Sequence, residues 1–260
     1  MTELEKIANN IKNFYNVDVN IFEIIQKAYD EHFNRRKNKL GCSEIAFGAR
    51  KIIISRLFNI PIENNMKMLH GKIHHRVLQT PKILKKIIEN IADQLNTHEP
   101  VEVIVEKELS YELLPGKLLE GHIDIYTSAF LIEIKTTSIP LKYWAKDIAP
   151  YHYVQLNTYL GLEKQEFGFI IYINLRAFDS KIVDFDEVWN EYGCFIPVVF
   201  DKEIFDLTLQ KAKIIFELME EERWDIDCPE YEWECKTCPK EVQAICKGEN
   251  NNNQVFIFES

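Results

Sequence analysis

The chain has 260 residues, 46% of them hydrophobic and 28% charged; these are ordinary globular values that exclude wholesale disorder and allow a full core without covalent staples. Its formal net charge of −10 excludes a generic basic coat for nucleic acid. No apolar run approaches the roughly eighteen residues of a membrane span, and Met1-Thr2-Glu3-Leu4-Glu5-Lys6 lacks the basic and apolar regions of a signal peptide, so a cytoplasmic protein away from the membrane is expected.

The first 95 residues read as a helical region. Ile21, Ile24, Ile25 and Ala28 recur at three- and four-residue spacing, as do Ile83, Ile87, Ile88 and Ile91. Ser43 stands as the N-cap of a helix over 44–58, with Asn59-Ile60-Pro61 as its stop. This half also holds the positive charge: residues 1–100 carry 16 Lys and Arg against 11 Asp and Glu, and residues 101–260 carry 15 against 30. A basic surface would come mainly from the first half.

From about residue 96 the period shortens. Strands are predicted over 101–106, 118–126 and 130–136, a helix over 151–162 and a strand over 167–175. A further strand pair falls within 181–200, and helical spacing returns over 201–222 with Ile204, Leu207, Ile215 and Leu218. The core of sheet and helices is thus placed at 96–222. A cysteine-rich segment without a regular period follows over 223–249, and then a tail, 250–260, that opens on four asparagines. Helices, then strands with one helix inserted, then a helix make an α/β (α+β) fold with a mixed central sheet flanked by helices.

Four of the six cysteines, Cys228, Cys235, Cys238 and Cys246, lie in the last 33 residues. Such clustering suggests a metal or cluster site, whereas Cys194 in a strand region reads as a core thiol.

The most informative stretch is Gly121-His122-Ile123-Asp124-Ile125 followed by Leu131-Ile132-Glu133-Ile134-Lys135. Side chains two apart on a strand share a face, so Glu133 and Lys135 point the same way. A turn around Ser128 would make a hairpin and bring Asp124 beside Glu133. Two adjacent carboxylates repel unless a cation lies between them, and a hard divalent ion such as Mg²⁺ or Mn²⁺ meets that need. Lys135 would then orient a water attacking a phosphate and offset the developing charge. A Glu-x-Lys pair alone is most often a solvated sheet face. Asp124 is the departure from that pattern, because it interrupts an apolar run where an unpartnered carboxylate is costly. His75, four residues after Gly71, and Gln155 with Tyr159, one helical turn apart, complete the set.

In this order the residues resemble the RecB-type branch of the PD-(D/E)XK nucleases: a helix histidine (His75), a Gly-x-x-Asp strand (Asp124), a Glu-x-Lys strand (Glu133, Lys135) and a Gln-x-x-x-Tyr helix (Gln155, Tyr159). Trp233-Glu234-Cys235-Lys236-Thr237-Cys238-Pro239 and Cys246 look like the tail of the CRISPR-associated iron–sulfur exonucleases, the fourth Cas protein and its relatives. The resemblance covers residues 43 to 246. It implies a metal-dependent exonuclease acting on single-stranded DNA or DNA ends, in CRISPR spacer acquisition beside the integrase subunits or in DNA repair. His75, Asp124, Glu133 and the backbone carbonyl of Ile134 would ligate Mn²⁺ or Mg²⁺. Lys135 would act on the water, and Gln155 and Tyr159 would brace the site or touch the strand.

The resemblance also implies an iron–sulfur cluster, 4Fe-4S rather than 2Fe-2S, held by Cys235, Cys238, Cys246 and one N-terminal cysteine. The family's slot for that last ligand falls on Gly48, so the fourth is Cys42 or Cys228, or the site holds zinc. The contrasting readings are a catalytically inactive DNA-end-binding or adaptor protein with a structural iron–sulfur or zinc site, and a zinc-stapled interaction domain.

Overall fold

The computed structural model describes residues 38–58, 60, 81–94, 102–137, 148–174, 193–226 and 232–246. His75, Cys228, the earlier member of the strand pair expected before residue 193, and the asparagine-rich tail lie outside the described residues, as do residues 1–37. The chain divides into two compact units, Met1–Lys39 and Leu40–Ser260, and nearly all the described residues belong to the second.

In chain order the elements are β1 (Lys39–Gly41), α1 (Cys42–Ile45), α2 (Ala49–Leu57), α3 (Pro81–Gln94), β2 (Val103–Leu114), β3 (Lys117–Thr127), β4 (Leu131–Thr137), α4 (Pro150–Glu163), β5 (Phe167–Asn174), β6 (Gly193–Val199), α5 (Lys202–Glu220), α6 (Glu232–Thr237) and α7 (Lys240–Cys246). Among the described residues the sheet has six strands in the order β1-β3-β4-β5-β6, with β2 also paired to β3. β4 and β5 run parallel at its centre, from Leu131 opposite Gly168 to Thr137 opposite Asn174. Both are covered on two faces, and β5 is accordingly a nearly continuous apolar run, whereas β4 is interrupted by Glu133 and Lys135. A parallel pair needs a crossover, and α4 supplies it.

The remaining pairs, β2/β3, β3/β4 and β5/β6, are antiparallel. The β3–β4 turn is closed by Thr127, whose hydroxyl donates to the Phe130 carbonyl at 2.7 Å and accepts the Phe130 N–H at 2.8 Å. The β2–β3 turn uses Gly116 at φ 71°, a conformation that glycine adopts without penalty.

Helices cover both faces of this mixed sheet. On one face Ile45, Ile53, Leu156, Leu160, Ile215 and Phe216 of α1, α2, α4 and α5 pack on Leu119, Ile123, Leu131, Ile170 and Tyr172. On the other, the stripe Leu84, Ile87, Ile88 and Ile91 of α3 packs on Ile132, Ile134, Phe169 and Ile171, the spacing of an amphipathic helix on a sheet. A third cluster joins α2 to α7 through Ile54 and Val242.

Three local expectations are corrected. The helix expected over 44–58 is two helices, and Ser43 lies inside the first. Gly41 is the N-cap of α1, its N–H donating to Glu44 Oε2 at 2.8 Å, and Gly48 is the N-cap of α2. Glycine at residue 48 disfavours a continuous helix, and Glu44 ties the two pieces together by pairing with Arg56. The strand expected to stop at Glu106 continues to Leu114. The cysteine segment, read as having no period, contains α6 and α7. By contrast α5 starts where its sequence says, with the Asp201 side chain accepting the N–H groups of Glu203 and Ile204.

Candidate active site

The β3–β4 ladder pairs Tyr126 with Leu131 and Ile125 with Ile132, and one further step sets Asp124 opposite Glu133. At that step the ladder lapses. Asp124 Oδ2 takes the Ile134 N–H instead, at 2.6 Å. The ladder is interrupted at the same level on the β2 side. Val105 pairs with Ile125 and Lys107 with Ile123, but Glu106, between them, has φ 51°. A left-handed residue that is not glycine costs on the order of 1–2 kcal/mol.

The consequence is visible in the packing, because Ile123 belongs to the α4-side core and Ile125 to the α3-side core. Residues two apart would otherwise share a face. The break at Asp124 is what aims its carboxylate across the gap towards β4. Strand geometry sends the C=O and N–H of one residue to the same side, so the Ile134 carbonyl faces Asp124 as well.

Glu133 and Lys135 share the α4 side of the sheet, as their spacing requires. Glu133 Oε1 accepts from Lys135 Nζ at 2.6 Å and from Gln155 Nε2 at 2.7 Å. Lys135 Nζ also donates to Gln155 Oε1 at 2.9 Å. Gln155 thus uses both ends of its amide to hold the acid and the base at fixed separation, and donates further to the Tyr159 hydroxyl at 3.2 Å.

Asp124, Glu133, Gln155 and Tyr159 are buried, and Lys135 is partly so, with its side chain 18% exposed. Burial, and then the charge of Glu133 with a smaller contribution from Asp124, pushes the Tyr159 phenol well above its ordinary pKa. It is a neutral hydroxyl that registers both carboxylates. Gly121 makes room for it: a Cβ there would stand 2.7 Å from Tyr159 Cε1 and 2.8 Å from its hydroxyl oxygen. The glycine three residues before Asp124 is a packing requirement of the tyrosine.

Five of the expected site residues, Asp124, Glu133, Lys135, Gln155 and Tyr159, are therefore brought together. The oxygen donors of Asp124, Glu133 and the Ile134 carbonyl suit a hard divalent cation, and His75, the fourth expected ligand, lies outside the described residues. Among the described residues no group of three or more His, Cys, Asp and Glu side chains converges as a metal cage.

The described cysteines separate into three places, with Cys194 partly buried on β6 against the main core, where the sequence reads a core thiol. Cys42 is buried beside Glu133, Glu44 and Tyr159, and burial pushes its thiol up to about 12. Cys238 has Cys235 and Cys246 as neighbours and packs with Cys246 against Ile54 and Val242. The expected set of four cysteines is thus not assembled among the described residues. Beside the apolar contacts of Ile54 with Val242, polar contacts join the C-terminal segment to α2. Glu234 Oε2 accepts the Gly48 N–H at 2.9 Å, Arg50 Nε donates to the Ile226 carbonyl at 2.6 Å, and Arg50 Nη1 lies 3.6 Å from Cys246 Sγ.

Two neighbours of Lys135 escaped the sequence reading, Tyr151 and His152. Burial, and secondarily Lys135, depresses His152 to about 2, so it is neutral. Tyr151 was within reach of sequence reasoning, since it stands one turn before Gln155 on the same helix face.

No family model matches the sequence, and no curated protein matches it. Among solved structures the chain is similar to SSO0001, with a TM-score of 0.52 and 18% identity over 88% of this chain and 96% of that one. Weaker similarities are to an alkaline exonuclease (LHK-Exo) from Laribacter hongkongensis, TM-score 0.47, 14% identity, over 74% of this chain and 93% of that one, and to a phage-related exonuclease from Haemophilus somnus 129PT, TM-score 0.43, 15% identity, over 67% and 81%. The likeness to SSO0001 is one of fold: a mixed central sheet flanked by helices.

Proposed function

We propose that the protein is a metal-dependent DNA exonuclease acting on single-stranded DNA or DNA ends. The observation that carries the reading is the meeting of Asp124, Glu133 and Lys135 at an interrupted ladder, with one glutamine bonded to both the acid and the lysine. Buried carboxylates beside a lysine could be a structural ion pair. A structural pair, however, does not call for a broken strand pairing and a left-handed Glu106 at the same level. Asp124, Glu133 and the Ile134 carbonyl would hold Mg²⁺ or Mn²⁺, with His75 as a further ligand; such an ion supplies charge neutralisation at a phosphate and a more acidic water.

The chain's own residues do the rest. Lys135 stands at the open side of the cluster, where its ammonium offsets charge developing on a phosphate oxygen. Gln155 bonds to both members of the Lys135–Glu133 ion pair and so fixes where the pair sits. Tyr159 closes the inner wall and excludes water beneath the carboxylates. For the cysteine segment, the resemblance supports an iron–sulfur or zinc site on Cys235, Cys238 and Cys246 with Cys228 as the fourth ligand, since Cys42 stands beside Glu133 and Tyr159. A place beside CRISPR integrase subunits or in repair rests on the same resemblance.

The test is cleavage of end-labelled single-stranded DNA by anaerobically purified protein in Mn²⁺, Mg²⁺ or EDTA. Metal-dependent cutting is expected. Asp124→Asn, Glu133→Gln and Lys135→Ala should each lower it by about a hundredfold or more while the protein stays folded. Undiminished cutting by Glu133→Gln would remove the reading. Metal-independent binding without cutting would favour the end-binding adaptor.

A further inference from the structure

The face of α4 that carries Gln155 and Tyr159 continues one turn towards the helix N-terminus to Tyr151, since positions four apart lie above one another. Exposure rises along that face: Tyr159 and Gln155 are buried, and Tyr151 is half-buried. Tyr151 therefore stands where the carboxylate–lysine cluster opens to solvent. Phe47, between α1 and α2, is half-buried too, and its ring centroid is 5.4 Å from that of Tyr151 with the planes 30° apart.

A lysine stands near each ring of this pair. Lys51 Nζ lies 5.9 Å from the Phe47 centroid. Lys135 is close enough to Tyr151 to favour ionisation of its phenol, against the larger upward effect of burial. The pair is also braced from behind. His152 meets the Tyr151 ring edge-on at 4.3 Å and 65°, and its Nδ1 lies 2.8 Å from the hydroxyl of Tyr172, a fully buried residue of β5.

We infer that Phe47 and Tyr151, with Lys51 and Lys135 near them, form a stacking platform for an unpaired nucleobase of the strand whose phosphate reaches the site. Two aromatic rings in contact are by themselves ordinary packing. Packing does not call for the pair to be half open at the mouth of a buried acidic site, or for a lysine near each ring. Every nucleobase offers a π face to such rings whatever its identity, and the lysines match the phosphates on either side of it. Bases within a duplex are already stacked and paired, so a platform of this kind selects single strands or frayed ends. The inference rests on the nuclease reading and narrows its substrate.

The test uses fluorescence anisotropy of a dye-labelled oligothymidylate, and of the same strand with abasic sugars in its three terminal positions at each end, on full-length Glu133→Gln protein so that nothing is cut. Phe47→Leu and Tyr151→Leu should each weaken binding of the base-bearing strand about five- to a hundredfold and leave binding of the abasic strand unchanged. Tyr151→Phe, which keeps the ring, should bind as the parent does. Equal weakening for both strands, or none for either, overturns the platform. If wild-type protein cuts DNA while the ring variants bind normally, the nuclease reading stands and the platform falls. If wild-type protein neither binds nor cuts, both fall.

Discussion

Gly121 shows how a single missing methyl group positions the site. Its hydrogen leaves the space that the Tyr159 ring occupies, Tyr159 supports Gln155, and Gln155 holds Glu133 and Lys135. A β-carbon 2.7 Å from a ring carbon that is itself walled in by the core forces either the strand or the ring to move. Gly121→Ala is expected to cost about 1–3 kcal/mol, as overpacking does, read as a lower denaturant midpoint, and to slow cleavage. Adding Tyr159→Leu should restore part of the midpoint but not the cleavage, because the contact to Gln155 is then lost. An alanine variant with unchanged midpoint and activity would show that the close approach does not matter.

At the scale of elements, the joint between α2 and the C-terminal helices depends on one carboxylate. Glu234 is 1% exposed and accepts the Gly48 N–H at the start of α2. Helix starts leave N–H groups unsatisfied and favour negative charge. Removing a charged acceptor strands a buried donor, which costs about 1–3 kcal/mol. Glu234→Ala should lower the unfolding midpoint accordingly and speed proteolysis within 232–246 under conditions where α5 remains protected. Equal protection in variant and parent would mean that the apolar contacts of Ile54 and Val242 alone hold the joint.

For the molecule as a whole, the thiols report on how its parts come undone. Cys235 is exposed, Cys238 and Cys246 are partly so, and Cys42 is buried with its thiol pushed up to about 12. Thiolates are the reactive species. Iodoacetamide should therefore label Cys235 first, and Cys42 only as the whole fold opens, at a rate that follows global stability. Protection of Cys235, Cys238 and Cys246 that a chelator abolishes would identify a bound metal or cluster on them. Early labelling of Cys42 would show that the α1 layer opens independently of the core.

Local period and chemistry encode part of this fold directly. The strands β4 and β5, the helices α3 and α5, and the shared face of Glu133 and Lys135 follow from spacings of two, three and four residues, although Leu207 of the expected α5 set is exposed. The meeting of Asp124 with Glu133 was legible too, because a short turn leaves an antiparallel pair little choice of register. The rest is set by long-range packing. The break at Glu106 and Asp124 shows in no periodicity, since it lies where β3 is paired with β2 on one side and β4 on the other. Gly48 meets Glu234 across 186 positions of chain, and Cys42 lies under the carboxylates instead of beside the other cysteines. Tyr151 becomes a neighbour of Phe47 only when α1 packs on α4. Contacts between residues far apart in the chain are set by which faces the core leaves to be covered, and no local pattern contains that information.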